Sequence, residues 1–326
     1  MDWKSTRIDA LLEQALVEDQ AVRDATTNLT IDPGLRAAAS IIARQEMVVC
    51  GLGAVPRLLE IFARLDAQSD THSAAKLHPH PQSQTRFEVV SHPEMFDGVR
   101  VHAGQVLAVI RHNARVLLSC ERVILNLMQH LSGIATLTRT YVDAIQGTHA
   151  RVLDTRKTVP GLRALEKYAV QCGGGTNHRI DLASGILIKN NHISLGGGIP
   201  TVISKALEKR HKGQRIQVEV RNPRELEEAL KYGAEAILLD NMTPQQVKQS
   251  VDRIKQATAE QAVTTEAPAG DVSQSAEHRW IPTEASGGIV LENIRSYAET
   301  GVDFISVGAL THSAKAADIS MTITAE

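Results

Sequence analysis

The segment Arg151–Ile193, RVLDTRKTVPGLRALEKYAVQCGGGTNHRIDLASGILIKNNHI, constrains the fold more than any other part of the chain. It gathers Arg156, Lys157, Arg163, Lys167, His178, Arg179, Lys189 and His192 against only Asp154, Glu166 and Asp181. The full chain of 326 residues has a formal net charge of −2, so this positive charge is local and aimed at an anion. An apolar pair, Val152–Leu153, runs directly into Asp154, Thr155, Arg156 and Lys157. Pro160 can begin a helix, because its missing N–H would be unpaired there in any case. Leu162, Leu165, Ala169 and Val170 recur at helical spacing. Gly173, Gly174 and Gly175 end that helix and let the backbone approach a ligand closely. Ile186, Leu187 and Ile188 form a second apolar strand that ends in Lys189. Cations just beyond two strand ends are where an α/β barrel carries its active site.

The rest of the chain reads as regular elements around that segment. Residues 5–20 predict an amphipathic helix through Ile8, Leu11, Leu12, Ala15 and Leu16. Asp24 to Thr27 reads as a loop, Arg36 to Arg44 as a strand continued by Met47 to Cys50, and Val55 to Leu65 as a second helix. Residues 66–86 turn polar and read as an exposed insertion. The histidines His72, His78 and His80, with His92 just beyond, lack ligand spacing and read as loop residues rather than a metal site. The run GVRVHAGQVLAVI predicts a β-hairpin, with a likeness to the tip of a biotinyl or lipoyl carrier domain. Such carriers need a lysine at the tip, and none occurs between Arg86 and Arg122, so the sheet is retained and the carrier function dropped. The longest helical pattern runs from Ser119 to Ile145, with a small-residue break predicted at Ser132–Gly133.

From Arg151 onward, strands at 152–153, 186–188, 216–220, 236–239, near 281–284 and 304–307 alternate with helices. Asn222-Pro223-Arg224-Glu225 and Thr243-Pro244-Gln245-Gln246 each offer an N-cap, a first-turn proline and a reciprocal side chain three residues on. Residues 256–279 form a second polar stretch, expected as a long inserted loop. This alternation predicts a parallel sheet, and a barrel and an open doubly wound sheet both satisfy it.

Composition removes several function classes. Hydrophobic residues at 43% and charged ones at 22% describe an ordinary globular protein with room for two domains. A net charge of −2 and 3% aromatics argue against nucleic-acid binding, which needs a basic face or stacking platforms. Cys50, Cys120 and Cys172 are few and unpatterned, which predicts a reducing cytoplasm, with Cys172 a packing residue rather than a reactive thiol. Asp2, Lys4, Arg7 and Asp9 interrupt any signal-peptide core, and no apolar run approaches the ~20 residues of a membrane span.

TRKTVPGLRALEKYAVQCGGGTNHR, followed by LIKNNHI, closely resembles quinolinate phosphoribosyltransferases. ERVILNLMQHLSGIAT, residues 121–136, matches a second hallmark of that family. The resemblance spans nearly the whole chain except the two polar stretches. It implies an N-terminal α/β sandwich domain, residues 1–137 with the insertion 66–86, whose end packs on or swaps with the C-terminal part. An incomplete parallel α/β barrel then follows over residues 138–326 with the insertion 256–279. It also implies transfer of phosphoribosyl from phosphoribosyl pyrophosphate to quinolinate with loss of CO2, a Mg2+ requirement, and a homodimer or larger assembly in which Arg122 reaches the neighbouring subunit's substrate. Two positions depart from the usual pattern: Asn190, where an aspartate is frequent, and Arg221, where an acid is common.

The residues support that chemistry on their own terms. Multiply anionic substrates need several fixed cations, with arginine preferred where a planar carboxylate is gripped twice. Arg156, Lys157, His178, Arg179 and Lys189 meet that need, with Thr155 beside them. The resemblance assigns Arg122, Arg156, His178 and Arg179 to the quinolinate carboxylates and Lys157 and Lys189 to the pyrophosphate and ribose end. Glu219 and Asp240 end two later strands and are expected to bind ribose hydroxyls or Mg2+–pyrophosphate, and with Lys157 to act in catalysis. Ser286, Gly287 and Gly288, and then Gly308, Ala309 and His312, follow the last two strands and are expected to take the 5′-phosphate. The rivals are a related phosphoribosyltransferase acting on another pyridine carboxylate and an aldolase-type barrel with Lys157 or Lys189 as Schiff base.

Overall fold

The computed structural model describes residues 1–72, 86–264 and 280–326. In chain order the elements are α1 (Thr6–Glu18), α2 (Ala25–Thr30), β1 (Arg36–Ala43), β2 (Met47–Val48), α3 (Ala54–His72), β3 (Glu88–Val90), β4 (Arg100–Val101), β5 (Val106–Asn113) and α4 (Ala114–Ala144). There follow β6 (Arg151–Leu153), α5 (Arg163–Cys172), β7 (Ile186–Ile188), α6 (Asn190–Gly196), α7 (Ile199–Lys209), β8 (Ile216–Val220), α8 (Pro223–Lys231), β9 (Ala236–Asp240) and α9 (Pro244–Thr264). The last are β10 (Thr283–Ser286), α10 (Leu291–Ala298), β11 (Phe304–Ser306), α11 (Ala309–His312) and β12 (Ile319–Ala325). Contacts divide the chain into one unit of residues 1–139, 159–174 and 313–326, and a second of residues 140–158 and 175–312. Residues 159–174 and 313–326 thus group with the N-terminal unit.

The first unit holds a four-stranded sheet in the order β12-β1-β5-β3, with every pairing antiparallel. Ala37, Ala39, Ile41 and Ala43 of β1 are buried while the residues between them are not, the alternation of a sheet with one core face. β4 pairs with β2 and β5 with β1 and β3, so GVRVHAGQVLAVI contributes to two sheets instead of folding on itself as one hairpin. β12 completes the sheet through pairs such as Ile41 with Met321. Its alternating Ile319, Met321 and Ile323 are the local signal for this strand.

Helix α4 runs unbroken for 31 residues, about 46 Å at the α-helical rise, so no break occurs at Ser132–Gly133. These small residues serve close approach instead. Ser132 Oγ accepts the Cys50 N–H (3.0 Å) and Thr136 Oγ1 accepts the Val48 N–H (2.9 Å). A Cβ on Gly133 would lie 2.1 Å from the Lys315 carbonyl oxygen, so only glycine lets that backbone pass. Other expectations shift in detail. Residues 25–30 are a helix, capped by Asp24 through the Thr27 N–H (3.0 Å), where a loop was expected. α5 starts at Arg163, so Pro160 sits in the preceding turn and not in the first turn of the helix. Residues 66–72 continue α3, with Asp66 buried, and 256–264 continue α9. The remainder of both polar stretches, with His78 and His80, lies outside the described residues.

The second unit is built on six strands in the order β6-β11-β10-β9-β8-β7, all parallel. Each strand from β7 to β11 lies beside its sequence neighbour, and β6 lies beside β11. This is the cyclic order of a barrel left open between its first two strands, and it excludes a doubly wound sheet, whose order reverses at a switch point. The Thr176 segment caps part of the seam: Thr176 N–H donates to Val152 (2.8 Å) and the Asp154 N–H donates to Thr176 (3.1 Å). β8 and β9 are buried almost throughout, as strands covered on both faces are. Both predicted N-caps form, but the reciprocal bond closes only at the second: Asn222 Oδ1 accepts the Glu225 N–H (3.0 Å) while Glu225 Oε2 accepts the Arg221 N–H (2.9 Å), whereas Gln246 Oε1 accepts the Thr243 N–H (2.9 Å) and Thr243 Oγ1 the Gln246 N–H (3.3 Å). Among the described residues no helix is long and apolar enough to cross a membrane.

Candidate active site

Parallel register brings the carboxyl ends of the barrel strands level. Asp240 lies opposite Ser286, Ser286 opposite Ser306, Ser306 opposite Leu153, and Ile188 opposite Val218. The residues just past those points therefore share one rim: Asp154 to Lys157, Lys189, Glu219, Asp240, Ser286 to Gly288, and Gly308 to His312.

At the β6 end, Asp154 is fully buried and its Oδ1 accepts the His178 N–H (2.8 Å). That bond pins the loop after the triple glycine against the strand. Arg179 is thereby held close enough to Arg156 that, after burial, the Arg156 charge is the next cause pushing the Arg179 pKa down. Arg179 Nη1 donates to the Gly185 carbonyl (3.0 Å). Arg156 Nε is buried with no hydrogen-bond partner. Two guanidinium groups set together with an unused buried donor form a site that an anion would stabilise.

His178 is held from both ring nitrogens. Nδ1 accepts the Arg179 N–H (2.7 Å), so the ring proton resides on Nε2, which faces Glu284 Oε2 (3.2 Å). Glu284 is a buried carboxylate with no local sequence signal to mark it. Gln217 Nε2 also donates to its Oε2 (2.7 Å), and Ser306 Oγ donates to its Oε1. Burial works to raise its pKa, but the bonds from His178, Ser306 and Gln217 outweigh that and keep it below the usual range. His178, Arg179, Gln217 and Glu284 line a cavity of about 330 Å³ whose other walls include Ile186, Ala236, Thr283 and Phe304, the first residues of their strands, so it reaches toward the amino ends of the barrel and away from the carboxyl-end rim.

The other rim residues are tied down more loosely. Thr155 Oγ1 accepts the Lys157 N–H (3.1 Å), and Thr311 Oγ1 donates to the Lys157 carbonyl (2.7 Å), so the backbone is fixed while the Lys157 side chain is exposed. Lys189 Nζ stands 4.0 Å from Glu219 Oε2. The Asn190 N–H donates weakly to Glu219 Oε1 (3.4 Å). His192 caps α6 by accepting the Lys189 N–H (2.9 Å). Asn241 Nδ2 donates to Asp240 Oδ2 (2.9 Å). Gly287 has φ +94°, and a Cβ there would fall 2.3 Å from Asn241 Oδ1, so this turn requires glycine. Arg221 pairs with Glu225 (3.1 Å), a helix-end contact. Glu219 and Asp240, at the ends of the neighbouring strands β8 and β9, offer carboxylate oxygens to a cation. Among the described residues no group of three or more His, Cys, Asp or Glu stands ready to hold a metal. Two carboxylates suit Mg2+, which takes the remainder of its shell from water and substrate phosphates.

Not every cation of the opening segment joins this cluster. Lys167 and Glu166 are buried in the first unit, where Glu166 accepts the Val159 N–H (3.2 Å) and meets His130 Nε2 (2.9 Å). Arg122 also belongs to the first unit, exposed on α4 beside a cavity of about 380 Å³ that Glu18, Asp19, Asn126 and His130 line.

Comparison with known proteins agrees with the fold. Residues 24–132 match the N-terminal domain of quinolinate phosphoribosyl transferase, and residues 134–322 match its C-terminal domain. A probable nicotinate-nucleotide pyrophosphorylase (carboxylating) from Bacillus subtilis is 44% identical over 70% of this chain and 71% of its own length. The nicotinate-nucleotide pyrophosphorylase (carboxylating) of Mycobacterium leprae is 36% identical over 96% of this chain and 95% of its own. The crystal structure of NadC from Streptococcus pyogenes superposes with a TM-score of 0.81 at 33% identity, covering 100% of this chain and 99% of that one. The chain belongs to the quinolinate phosphoribosyltransferase family, enzymes that transfer a pentosyl group with decarboxylation.

Proposed function

We propose that the strand-end rim of the parallel barrel is where this quinolinate phosphoribosyltransferase joins its two anionic substrates, and that its residues divide the work by charge. The reaction gives nicotinate mononucleotide, pyrophosphate and CO2, a step of NAD biosynthesis. Arg156 and Arg179, with His178 beside them, grip the quinolinate carboxylates; the unused Arg156 Nε next to Arg179 is the observation that carries this assignment. Lys157 and Lys189 face pyrophosphate and ribose. Ser286, Gly287, Gly288, Gly308, Ala309 and His312 receive the 5′-phosphate.

The pyridine nitrogen attacks the anomeric carbon as pyrophosphate departs. Glu219 and Asp240 stabilise the positive charge that develops on the ribose, a preorganised electrostatic effect. The quaternary ring nitrogen then draws in the electrons left by the departing carboxylate, CO2 leaves, and a proton takes its place. Mg2+, held by Glu219, Asp240 and the pyrophosphate, would neutralise the leaving group's charge. Placement and charge perform the catalysis, and no covalent enzyme intermediate is required. The low cysteine content supports a cytoplasmic setting.

The first test is the purified protein with quinolinate, phosphoribosyl pyrophosphate and Mg2+, with nicotinate in parallel. Product from quinolinate alone is expected; turnover of nicotinate alone would overturn the substrate assignment. Omitting Mg2+ and adding a chelator should abolish turnover. Exposed Arg122, lying outside the barrel unit, supports a homodimer in which it enters the partner's site. Equal mixing of Arg122→Ala and Arg156→Ala subunits should then recover about a quarter of wild-type activity, since half the dimers are hybrid with one intact site each. No recovery on subunit exchange would end that reading.

A further inference from the structure

We propose that Glu284 is a positioning residue for the dicarboxylate pocket, acting through His178 by setting which imidazole nitrogen carries the proton and how the ring lies against Arg179. The proposal rests on the reading of Arg156, His178 and Arg179 as the dicarboxylate grip.

A carboxylate inside a parallel strand is costly unless its oxygens are satisfied. Glu284, second residue of β10, is satisfied by three donors from three other elements: Gln217 of β8, Ser306 of β11, and His178 of the loop after Gly175. Gln217 and Ser306 already give each carboxylate oxygen a partner, so the barrel does not need His178 to keep this acid buried. His178 needs Glu284. Its backbone N–H is fixed by Asp154 (2.8 Å), and its ring is fixed at Nδ1 by the Arg179 N–H (2.7 Å) and at Nε2 by Glu284 (3.2 Å). An imidazole with one nitrogen accepting and the other donating has a single tautomer. Removing the acceptor behind Nε2 frees the ring to turn or to move its proton to Nδ1. The second change abolishes the Arg179 backbone bond and shifts the arginine that shares the site. Of the charged groups, Glu284 faces the ring at Nε2, Asp154 accepts the His178 backbone N–H, and Arg156 acts electrostatically on Arg179, whose own N–H holds Nδ1. Glu284 therefore sets the geometry of the carboxylate-binding wall without touching the substrate.

Glu284→Val removes the acceptor at similar bulk, and Glu284→Gln keeps one for the Nε2–H. Glu284→Val should raise the KM for quinolinate about tenfold and change that for phosphoribosyl pyrophosphate less than about twofold, the loss of one oriented hydrogen bond. Glu284→Gln should restore the quinolinate KM to within about threefold of wild type. Imposed on His178→Ala, Glu284→Val should cost nothing further, because the two act as one unit. Nitrogen-15 spectra of histidine-labelled protein without substrate should show His178 as the Nε2–H tautomer in wild type and Glu284→Gln, and as mixed tautomers in Glu284→Val. Equal rises in both KM values, losses that multiply with His178→Ala, or an Nδ1–H tautomer in the wild-type protein would overturn the proposal; the last measurement needs no variant to fold. An unchanged quinolinate KM in His178→Ala would overturn the grip reading and the proposal together. A changed KM there with an unchanged one in Glu284→Val would overturn the proposal alone.

Discussion

The two sheets of this chain treat polar residues in opposite ways. In the antiparallel sheet of the first unit, β1 buries every second residue, so polar side chains such as Ser40 and Arg36 have a face to occupy at little cost. In the parallel barrel, β8, β9 and β10 are buried on both faces, and a polar side chain within a strand must find partners indoors. Gln217, Glu284 and Ser306 do so by bonding one another and His178. A charge in the first sheet therefore says little about function, whereas a buried charge in the second, as at Glu284, draws partners from several strands.

The largest effect is expected at the barrel rim, where Arg156→Ala should lower kcat/KM for quinolinate by about two to three orders of magnitude with little change in the urea midpoint. That follows from losing a charge-assisted, desolvated grip worth roughly 3–4 kcal/mol while breaking no bond made by Nε within the protein. Retention of more than a tenth of wild-type activity would contradict it.

In the first unit the strongest response should come from packing. Gly133→Ala places a Cβ 2.1 Å from the Lys315 carbonyl oxygen. Glycine to alanine inside a helix ordinarily stabilises by up to about 1 kcal/mol; here the sign should reverse, with a loss of about 1–3 kcal/mol read from urea unfolding. A stabilised Gly133→Ala protein would refute the close approach of residues 315–316 to α4.

Acid should separate the two regions further. Burial, aided by the Arg36 charge, lowers the His112 pKa from 6.5 to about 4. Above pH 6.5 both folded and unfolded chains are neutral at this residue. As pH falls from 6.5 towards 4, only the unfolded chain takes up the proton, so stability is lost across that window, by at most about 3 kcal/mol. Glu284, with a depressed pKa in the folded state, acts in the same direction at lower pH, its stabilisation lost as pH falls through the folded value. His112→Leu should flatten the decline between pH 6.5 and 4.5 in urea melts; an unaltered slope would assign the loss elsewhere.

The smallest effect belongs to the exposed face of the antiparallel sheet. Arg111 lies 3.5 Å from Glu88 and 3.2 Å from Glu326, with half its side chain in solvent. Arg111→Ala should cost under about 1 kcal/mol and leave turnover unchanged, as exposed ion pairs do.

Much of this was legible in the chain itself. The runs Ile186–Ile188 and Ala236–Leu239 stand out because covered strands are apolar on both faces, Ile216–Val220 because Ile216, Val218 and Val220 alternate, and the caps at Asn222 and Thr243 because their hydrogen bonds are local. Arg156, Arg179 and Lys189 could be named because they crowd one short segment. Glu284 could not, since Thr-Glu-Ala-Ser looks like any solvent-facing run until Gln217, Ser306 and His178 are brought around it from distant positions. Ser132 and Gly133 misled for the same reason. As local signals they interrupt a helix, and only the backbone of Cys50 and Lys315 explains why small residues stand there.

Periodicity, capping and charge density act over a few residues, so the parallel alternation, the helix caps, the family and the crowd of cations that seeks an anion are all written in the chain. Long-range pairing sets the opening of the barrel between β6 and β7, the return of residues 313–326 to the first unit, and the buried glutamate against His178 Nε2. Each of these depends on pairing between residues far apart in the chain, where the free energy comes from contacts that no local pattern encodes.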